Sequence, residues 1–66
     1  MMNKIIEFRL KEKTIELMKQ NPKPDEKTIE RTLLKSVGFI DYQTRELIEI
    51  LAYHSQFNKI ENIINL

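Results

Sequence analysis

The single histidine of the chain, His54, lies between Tyr53 and Ser55, and these three residue types could share acid–base or nucleophilic chemistry. A nucleophilic hydroxyl needs a base within hydrogen-bond reach, and that base needs a third group to orient it. If this stretch is helical, adjacent side chains point about 100° apart, so that His54 and Ser55 do not meet. We therefore interpret His54 as a residue at the edge of the core or of a partner surface, where half burial would make an interaction sensitive to pH.

Metal and phosphate binding are the other kinds of chemistry that so short a chain could support. Cysteine is absent, one histidine cannot form a zinc site, and the acidic residues show no metal-ligand spacing. The only glycine, Gly38, cannot by itself build a loop that cradles phosphate. The sequence therefore predicts no catalytic residues, no metal site and no cofactor, and a protein that is not an enzyme.

Length and composition indicate one globular domain covering residues 1–66. The chain has 66 residues, of which 41% are hydrophobic and 32% are charged. A chain of this length buries only about 60% of its unfolded surface, and this one has neither a disulfide nor a thiolate metal site to stabilise it. Association with another chain is the remaining way to bury more apolar surface.

Hydropathy and charge restrict where the protein acts and what it binds. No apolar run approaches the roughly 18 residues of a membrane span, and the charges within residues 4–13 do not fit a signal peptide. We therefore expect an intracellular, cytoplasmic protein without membrane contact. Residues 1–13 carry four basic and two acidic side chains, whereas residues 41–66 carry two basic and four acidic ones. This balance permits nucleic-acid binding without requiring it.

The stretch "QNPKPDE", residues 20–26, is the clearest boundary between elements. Pro22 and Pro24 cannot lie inside a helix, so the preceding element ends by residue 21. Asp25 is a good N-cap for a helix that runs to about Ser36, and Gly38 then fits a left-handed C-cap. The predicted buried stripe of this helix comprises Ile29, Leu33 and Val37, with Leu34 beside it.

A long C-terminal helix is predicted from Asp41 to about Ile64, because no proline or glycine interrupts this segment. Its 24 or so residues would span about 36 Å. In its second half the apolar residues are spaced by four, three and four, which is typical of a seam for one neighbouring helix. The seam consists of Tyr53, Phe57, Ile60 and Ile64. It packs either on the first helix of its own chain or on another chain, and in the second case these four are the partner-binding residues.

The first element, in the stretch "KIIEFRLKEK" at residues 4–13, allows two interpretations. Ile6, Phe8 and Leu10 alternate with charged residues, and the apolar residues of 4–20 point in directions that almost cancel around a helix. Many of the same residues are nevertheless good helix formers. The predicted fold class is thus mainly α, a small three-helix domain with a long C-terminal helix, in which residues 5–10 form either a short β-strand or part of a helix.

The stretch "IEFRLKEKTIELM", residues 6–18, resembles the opening of ribbon-helix-helix DNA-binding proteins. In that family two chains pair their first strands into a ribbon that enters the major groove. The resemblance implies that Glu7, Arg9 and Lys11 project toward the bases, while the alternate apolar residues face the dimer core. Within a single chain, only residues 37–42 offer a second extended segment that could pair with such a strand.

Two functional hypotheses follow from these patterns. The first is a small non-enzymatic helical protein that binds a macromolecular partner stoichiometrically, as an inhibitor, adaptor or complex subunit, or that self-associates through its C-terminal helix. The alternative is a dimeric ribbon-helix-helix transcriptional regulator that binds DNA. A lysine-, isoleucine- and asparagine-rich composition is typical of an AT-rich genome, such as that of a phage, a plasmid or a low-GC bacterium.

Overall fold

Helices form the regular structure of this protein in the computed structural model, which describes residues 3–38 and 40–66. In chain order the elements are α1 (Lys4–Met18), α2 (Glu26–Ser36), α3 (Tyr42–His54), a 3₁₀ turn (Ser55–Phe57) and α4 (Ile60–Ile64). No strand occurs within the described ranges. The mainly helical fold class is confirmed. Of the two interpretations of residues 5–10, the helical one is found, and the predicted long C-terminal helix is not confirmed.

Residues 5–10, the predicted alternative strand, lie inside α1. The side chain of Asn3 begins this helix by accepting a hydrogen bond of 2.8 Å from the backbone N–H of Ile5. The apolar directions cancel because α1 has two apolar sides rather than one. Leu10 and Leu17 are buried on the inner side, whereas Phe8 is exposed on the outer side.

The second helix matches its predicted bounds, and its predicted cap is confirmed. The carboxylate of Asp25 accepts a hydrogen bond of 2.8 Å from the N–H of Thr28. Gly38 is not the predicted left-handed C-cap, because the helix ends instead with Val37 in an extended conformation and Gly38 has no positive φ. Of the predicted extended segment 37–42, residue 39 lies outside the described residues, and Tyr42 already belongs to α3.

The predicted helix from Asp41 to Ile64 is broken. It begins as expected, since the Asp41 carboxylate accepts a 2.7 Å hydrogen bond from the N–H of Thr44. It ends at His54, passes through the 3₁₀ turn and reverses at Asn58, whose backbone is left-handed with φ 56° and ψ 26°. Asparagine is one of the few residues other than glycine that adopt this conformation readily, so the chain turns here without a glycine.

A lysine from a distant part of the chain stabilises this break. The ammonium group of Lys23, in the connection between α1 and α2, donates hydrogen bonds of 3.2 Å to the carbonyl oxygens of Ser55 and Gln56. It also donates one of 2.7 Å to the side-chain oxygen of Asn58. A cation is favourable at the carbonyl end of a helix, so these contacts hold the end of α3 in place.

The turn allows α4 to fold back onto α1. A continuous helix over residues 41–64 would be about 36 Å long, and the longest extent of the molecule is 32 Å. Folding back instead buries Ile63 completely. The buried apolar residues of the core are Leu10, Leu17, Ile29, Leu33, Ile48, Leu51, Ala52 and Ile63.

Candidate functional site

Large apolar side chains remain on the surface of this protein. Among the described residues nine large hydrophobic side chains are exposed, against eight hydrophobic residues in the buried core. Scattered exposed apolar residues are normal, but contiguous patches mark interaction sites. Most of these nine belong to two surfaces, one on α3 and one between α1 and α4.

The first surface, which we call the aromatic stripe, consists of Tyr42, Ile50, Tyr53 and Phe57. Helical spacing places Tyr42, Ile50 and Tyr53 on the same side of α3, opposite the buried Ile48. Phe57, in the following 3₁₀ turn, meets Tyr53 edge to face with a distance of 5.2 Å between ring centroids. Tyr42 is 80% exposed and Tyr53 is 53% exposed, so the stripe lies open to solvent.

His54 stands beside this stripe, and its ring does not meet the hydroxyl of the neighbouring Ser55. Its ring packs edge to face on Tyr53, with 5.4 Å between centroids, and its Nδ1 atom is buried without a hydrogen-bond partner among the described residues. The Ser55 hydroxyl is buried and donates to the carbonyl oxygen of Ala52 at 2.6 Å. The hydroxyl is therefore engaged with its own helix and not with the imidazole.

The second surface is an open groove of about 630 Å³ between α1 and α4. We call it the α1 groove. Its apolar lining is Phe8 and Ile15 from α1 and Ile64 from α4, and its rim is formed by Lys4, Glu7, Lys11 and Glu12. Phe8 is 64% exposed, although it lies in the middle of a helix.

Lys11 links the two helices that border the α1 groove. Its ammonium group lies 3.3 Å from the Glu7 carboxylate, one helical turn away. It also donates a hydrogen bond of 2.7 Å to the backbone carbonyl of Leu66, just beyond α4. These contacts keep the rim charges and the end of the chain beside the apolar lining.

The structure divides the four predicted partner-binding residues between the two surfaces. Tyr53 and Phe57 lie together in the aromatic stripe, whereas Ile64 lines the α1 groove. Ile60 is half-buried at the start of α4. The continuous seam predicted for them does not form, because the chain reverses at Asn58 between Phe57 and Ile60.

The residues predicted to bind DNA in the alternative hypothesis lie on α1. Glu7 and Lys11 are an ion pair on one side of the helix, and Arg9 lies on another side, because alternate residues of a helix do not share a face. A paired ribbon would need residues 5–10 to be extended, and here they are helical. DNA binding by these residues stays a prediction.

Ile15 was not singled out as a binding residue by the sequence, and Phe8 was placed in an interface only by the ribbon-helix-helix resemblance. The signal that could have found them is the cancellation of apolar directions in residues 4–20, which is what two opposite apolar sides of one helix produce. Tyr42 and Ile50 were likewise not singled out, and Tyr42 fell in the segment 37–42 that was considered as an extended one.

Within the described ranges, 3–38 and 40–66, no helix is long and apolar enough to cross a membrane. No three histidine, cysteine or acidic side chains there come together as metal ligands.

The described residues, 3–38 and 40–66, form four helices and present two apolar surfaces that no other described residue covers. Comparison with known proteins finds no matching family model, no matching curated protein and no matching solved structure.

Proposed function

We propose that this protein is a non-enzymatic binding protein that associates stoichiometrically with a protein partner through the aromatic stripe. The observation that carries the proposal is the exposure of Tyr42, Ile50, Tyr53 and Phe57 along one side of α3, outside a core that is complete without them. Tyrosine and other aromatic anchors dominate the energy of protein interfaces. The aromatic stripe therefore has the composition of the centre of a protein interface rather than that of an ordinary protein surface.

The charges of the stripe indicate what kind of partner fits. Glu46 lies within it, lining the same shallow depression as Tyr42 and Ile50. Arg45 and Glu49 form a weak, exposed ion pair at 3.9 Å on the neighbouring positions. A complementary partner therefore offers an apolar surface with a basic residue opposite Glu46.

The test uses a photo-crosslinking amino acid at Tyr53, in the cells that make the protein, with the same amino acid at Lys27 as a control. Lys27 is exposed on α2, away from both apolar surfaces. We expect one protein to crosslink at position 53 and not at position 27. Crosslinks that are equal at both positions, or absent at position 53, would contradict the proposal.

Purified partner is then titrated against wild type, Phe57→Ala and the matched surface variant Arg31→Ala. Truncating a central aromatic anchor costs about 2 kcal/mol or more of binding energy, which is a loss of about thirtyfold in affinity. We expect this loss for Phe57→Ala, wild-type affinity for Arg31→Ala and a stoichiometry of one to one. Parallel loss of thermal stability and binding in Phe57→Ala would instead identify Phe57 as a residue of the core.

A further inference from the structure

The reversal of the chain between α3 and α4 takes place at one residue. Asn58 has a left-handed backbone, and its side-chain oxygen accepts a hydrogen bond of 2.7 Å from the ammonium group of Lys23. Neither proline nor glycine occurs between residues 41 and 66. The sequence on both sides of the turn is therefore compatible with one continuous helix, and Asn58 is the hinge at which the chain can straighten.

A continuous helix satisfies backbone groups that the turn leaves without helical partners. Each end of a helix leaves several N–H or carbonyl groups unpaired, and α3 ends only a few residues before α4 begins. At the end of α3, the Lys23 ammonium group donates to the carbonyl oxygens of Ser55 and Gln56. Among the described residues, no side chain caps the start of α4 at Lys59. Straightening would replace these ends by regular helical hydrogen bonds.

Straightening also has a cost, because α4 leaves the site that buries it. Ile63 is fully buried, and Lys11 of α1 donates a hydrogen bond of 2.7 Å to the carbonyl oxygen of Leu66. In a continuous helix Ile63 would lie about three turns beyond Ala52, on the same side and past the end of its own domain. One straightened chain alone therefore exposes Ile63 and uncovers the site on α1.

A second straightened copy supplies what each chain then lacks. Its α4 is the identical segment, so it fits the uncovered site on α1 with the same burial of Ile63 and the same hydrogen bond from Lys11 to Leu66. Two copies that exchange α4 about a two-fold axis regain the contacts between α1 and α4. The occupant of the site is thus specified by contacts that already exist within one chain.

We infer that two copies of this chain exchange α4 and form a domain-swapped dimer, in which residues 42–64 make one continuous helix in each chain. The hinge is Asn58, and the receiving site is the one on α1 in which Ile63 is buried. Lys23 opposes the exchange, because its hydrogen bonds to the turn form only while the chain is reversed. The dimer does not depend on a partner for the aromatic stripe.

The first test is size-exclusion chromatography with light scattering, after refolding of the full chain at high concentration and subsequent dilution. Wild type and Lys23→Met are compared with the matched control Lys27→Met, whose replaced side chain is exposed on α2. We expect a dimer of twice the monomer's 8.0 kDa, with at least tenfold more dimer in Lys23→Met than in the other two. If neither wild type nor Lys23→Met formed a dimer, the inference would be overturned.

Substitutions at the hinge test the exchange in both directions. Asn58→Ala disfavours the left-handed turn and favours the helix, so we expect at least tenfold more dimer than in wild type. Asn58→Gly favours the turn and disfavours the helix, so its dimer fraction should fall below that of wild type. Circular dichroism confirms that each variant is folded. The opposite order of dimer fractions in folded variants would contradict a hinge at Asn58.

A distance measurement distinguishes the swapped dimer from two unswapped copies lying side by side. Spin labels are attached at Gln43→Cys and Asn65→Cys of one chain, which has no native cysteine, and this chain is refolded with an excess of unlabelled protein. In a continuous helix these positions are about 33 Å apart along the axis. In the monomer α3 spans only about 20 Å and α4 turns back, so the labels lie closer together.

Electron paramagnetic resonance of the separated monomer and dimer gives the two distances. We expect the longer distance in the dimer alone. A dimer in which the labels keep the distance found in the monomer would be an unswapped association and would overturn the inference.

Discussion

Helices α1 and α2 follow one another in the chain but differ in how many of their sides are apolar. The exposed positions of α2, such as Lys27, Arg31 and Lys35, are polar, and its buried residues Ile29 and Leu33 lie on one side. Helix α1 buries one apolar side in the core and exposes Phe8 on the other. A helix with one apolar side, such as α2, buries that side within its own domain. A helix with two apolar sides, such as α1, leaves one of them exposed for a further contact.

The difference explains why α2 could be predicted, whereas residues 5–10 of α1 were left open between a strand and a helix. The apolar side chains of a single stripe all point to one side of the helix axis, and this is the periodic signal that sequence analysis uses. Two opposite stripes cancel, and the cancellation resembles the absence of helical periodicity. A weak periodic signal in a segment of good helix formers therefore indicates two interfaces as readily as it indicates a strand.

The largest expected effect on stability comes from replacing apolar side chains by alanine on the inner and outer sides of the helices. Leu33→Ala in α2 and Leu10→Ala in α1 should each cost about 2–5 kcal/mol, because both residues are fully buried. Phe8→Ala should change the free energy of unfolding by less than about 0.5 kcal/mol in the monomer. Urea unfolding, at a protein concentration too low for association, measures all three, and a large loss in Phe8→Ala would show that α1 has no free side.

A second test concerns the turn between α3 and α4, which lets α4 pack on α1. Lys23→Met removes the hydrogen bonds to Ser55, Gln56 and Asn58. Leaving these acceptors without the charged donor should cost about 1–3 kcal/mol in urea unfolding. Lys27→Met is the matched control, with its side chain exposed on α2. Equal stability of the two variants would mean that the Lys23 contacts contribute nothing to the fold.

A third test compares backbone preference at matched exposed arginines, Arg9 in α1 and Arg31 in α2. Valine should be about 0.5 kcal/mol less stable than alanine at both positions, because β-branched residues are disfavoured in helices. Thermal unfolding of the four variants measures the differences. If valine were the more stable residue at position 9 alone, the backbone there would be extended and the helical α1 would be wrong.

The smallest expected effect concerns the caps and depends on pH. Hydrogen bonds from the side chain and backbone of Thr28 lower the pKa of the Asp25 carboxyl below its ordinary value of 3.8. The stabilisation of α2 by its ionised cap is therefore complete above pH 3.8 and is lost as the pH falls through the lower, folded value. Helix α1 is capped by Asn3, which does not titrate.

Amide exchange followed by NMR detects this difference between the two helices. Protection of the Thr28 N–H should fall with Asp25 protonation, while that of the Ile5 N–H should not change with it. Asp25→Asn keeps an acceptor at the cap without a titration, so its Thr28 N–H should lose the pH dependence. A matching pH dependence at Ile5 would contradict the assignment of the effect to Asp25.

The parts of the fold that could be predicted from the sequence depend on local chemistry. Asp25 and Asp41 mark helix starts because a carboxylate accepts hydrogen bonds from N–H groups three residues on, which needs no distant contact. The break at Asn58 was not predicted, because asparagine permits a left-handed backbone without requiring it, and the Lys23 contacts that accompany the turn come from more than 30 residues away in the chain. The predicted partner-binding seam failed as one surface for the same reason.

The packing of α4 on α1 also has a consequence for the order of folding. The hydrogen bond between Lys11 and Leu66 joins residues 55 positions apart, so that nearly the whole chain must be closed into a loop before it can form. Loop closure costs more entropy as the loop grows, whereas α2 and α3 are joined by a short connection. The α2–α3 pair is thus expected to form the folding nucleus, and α4 to dock last and to open first in local unfolding.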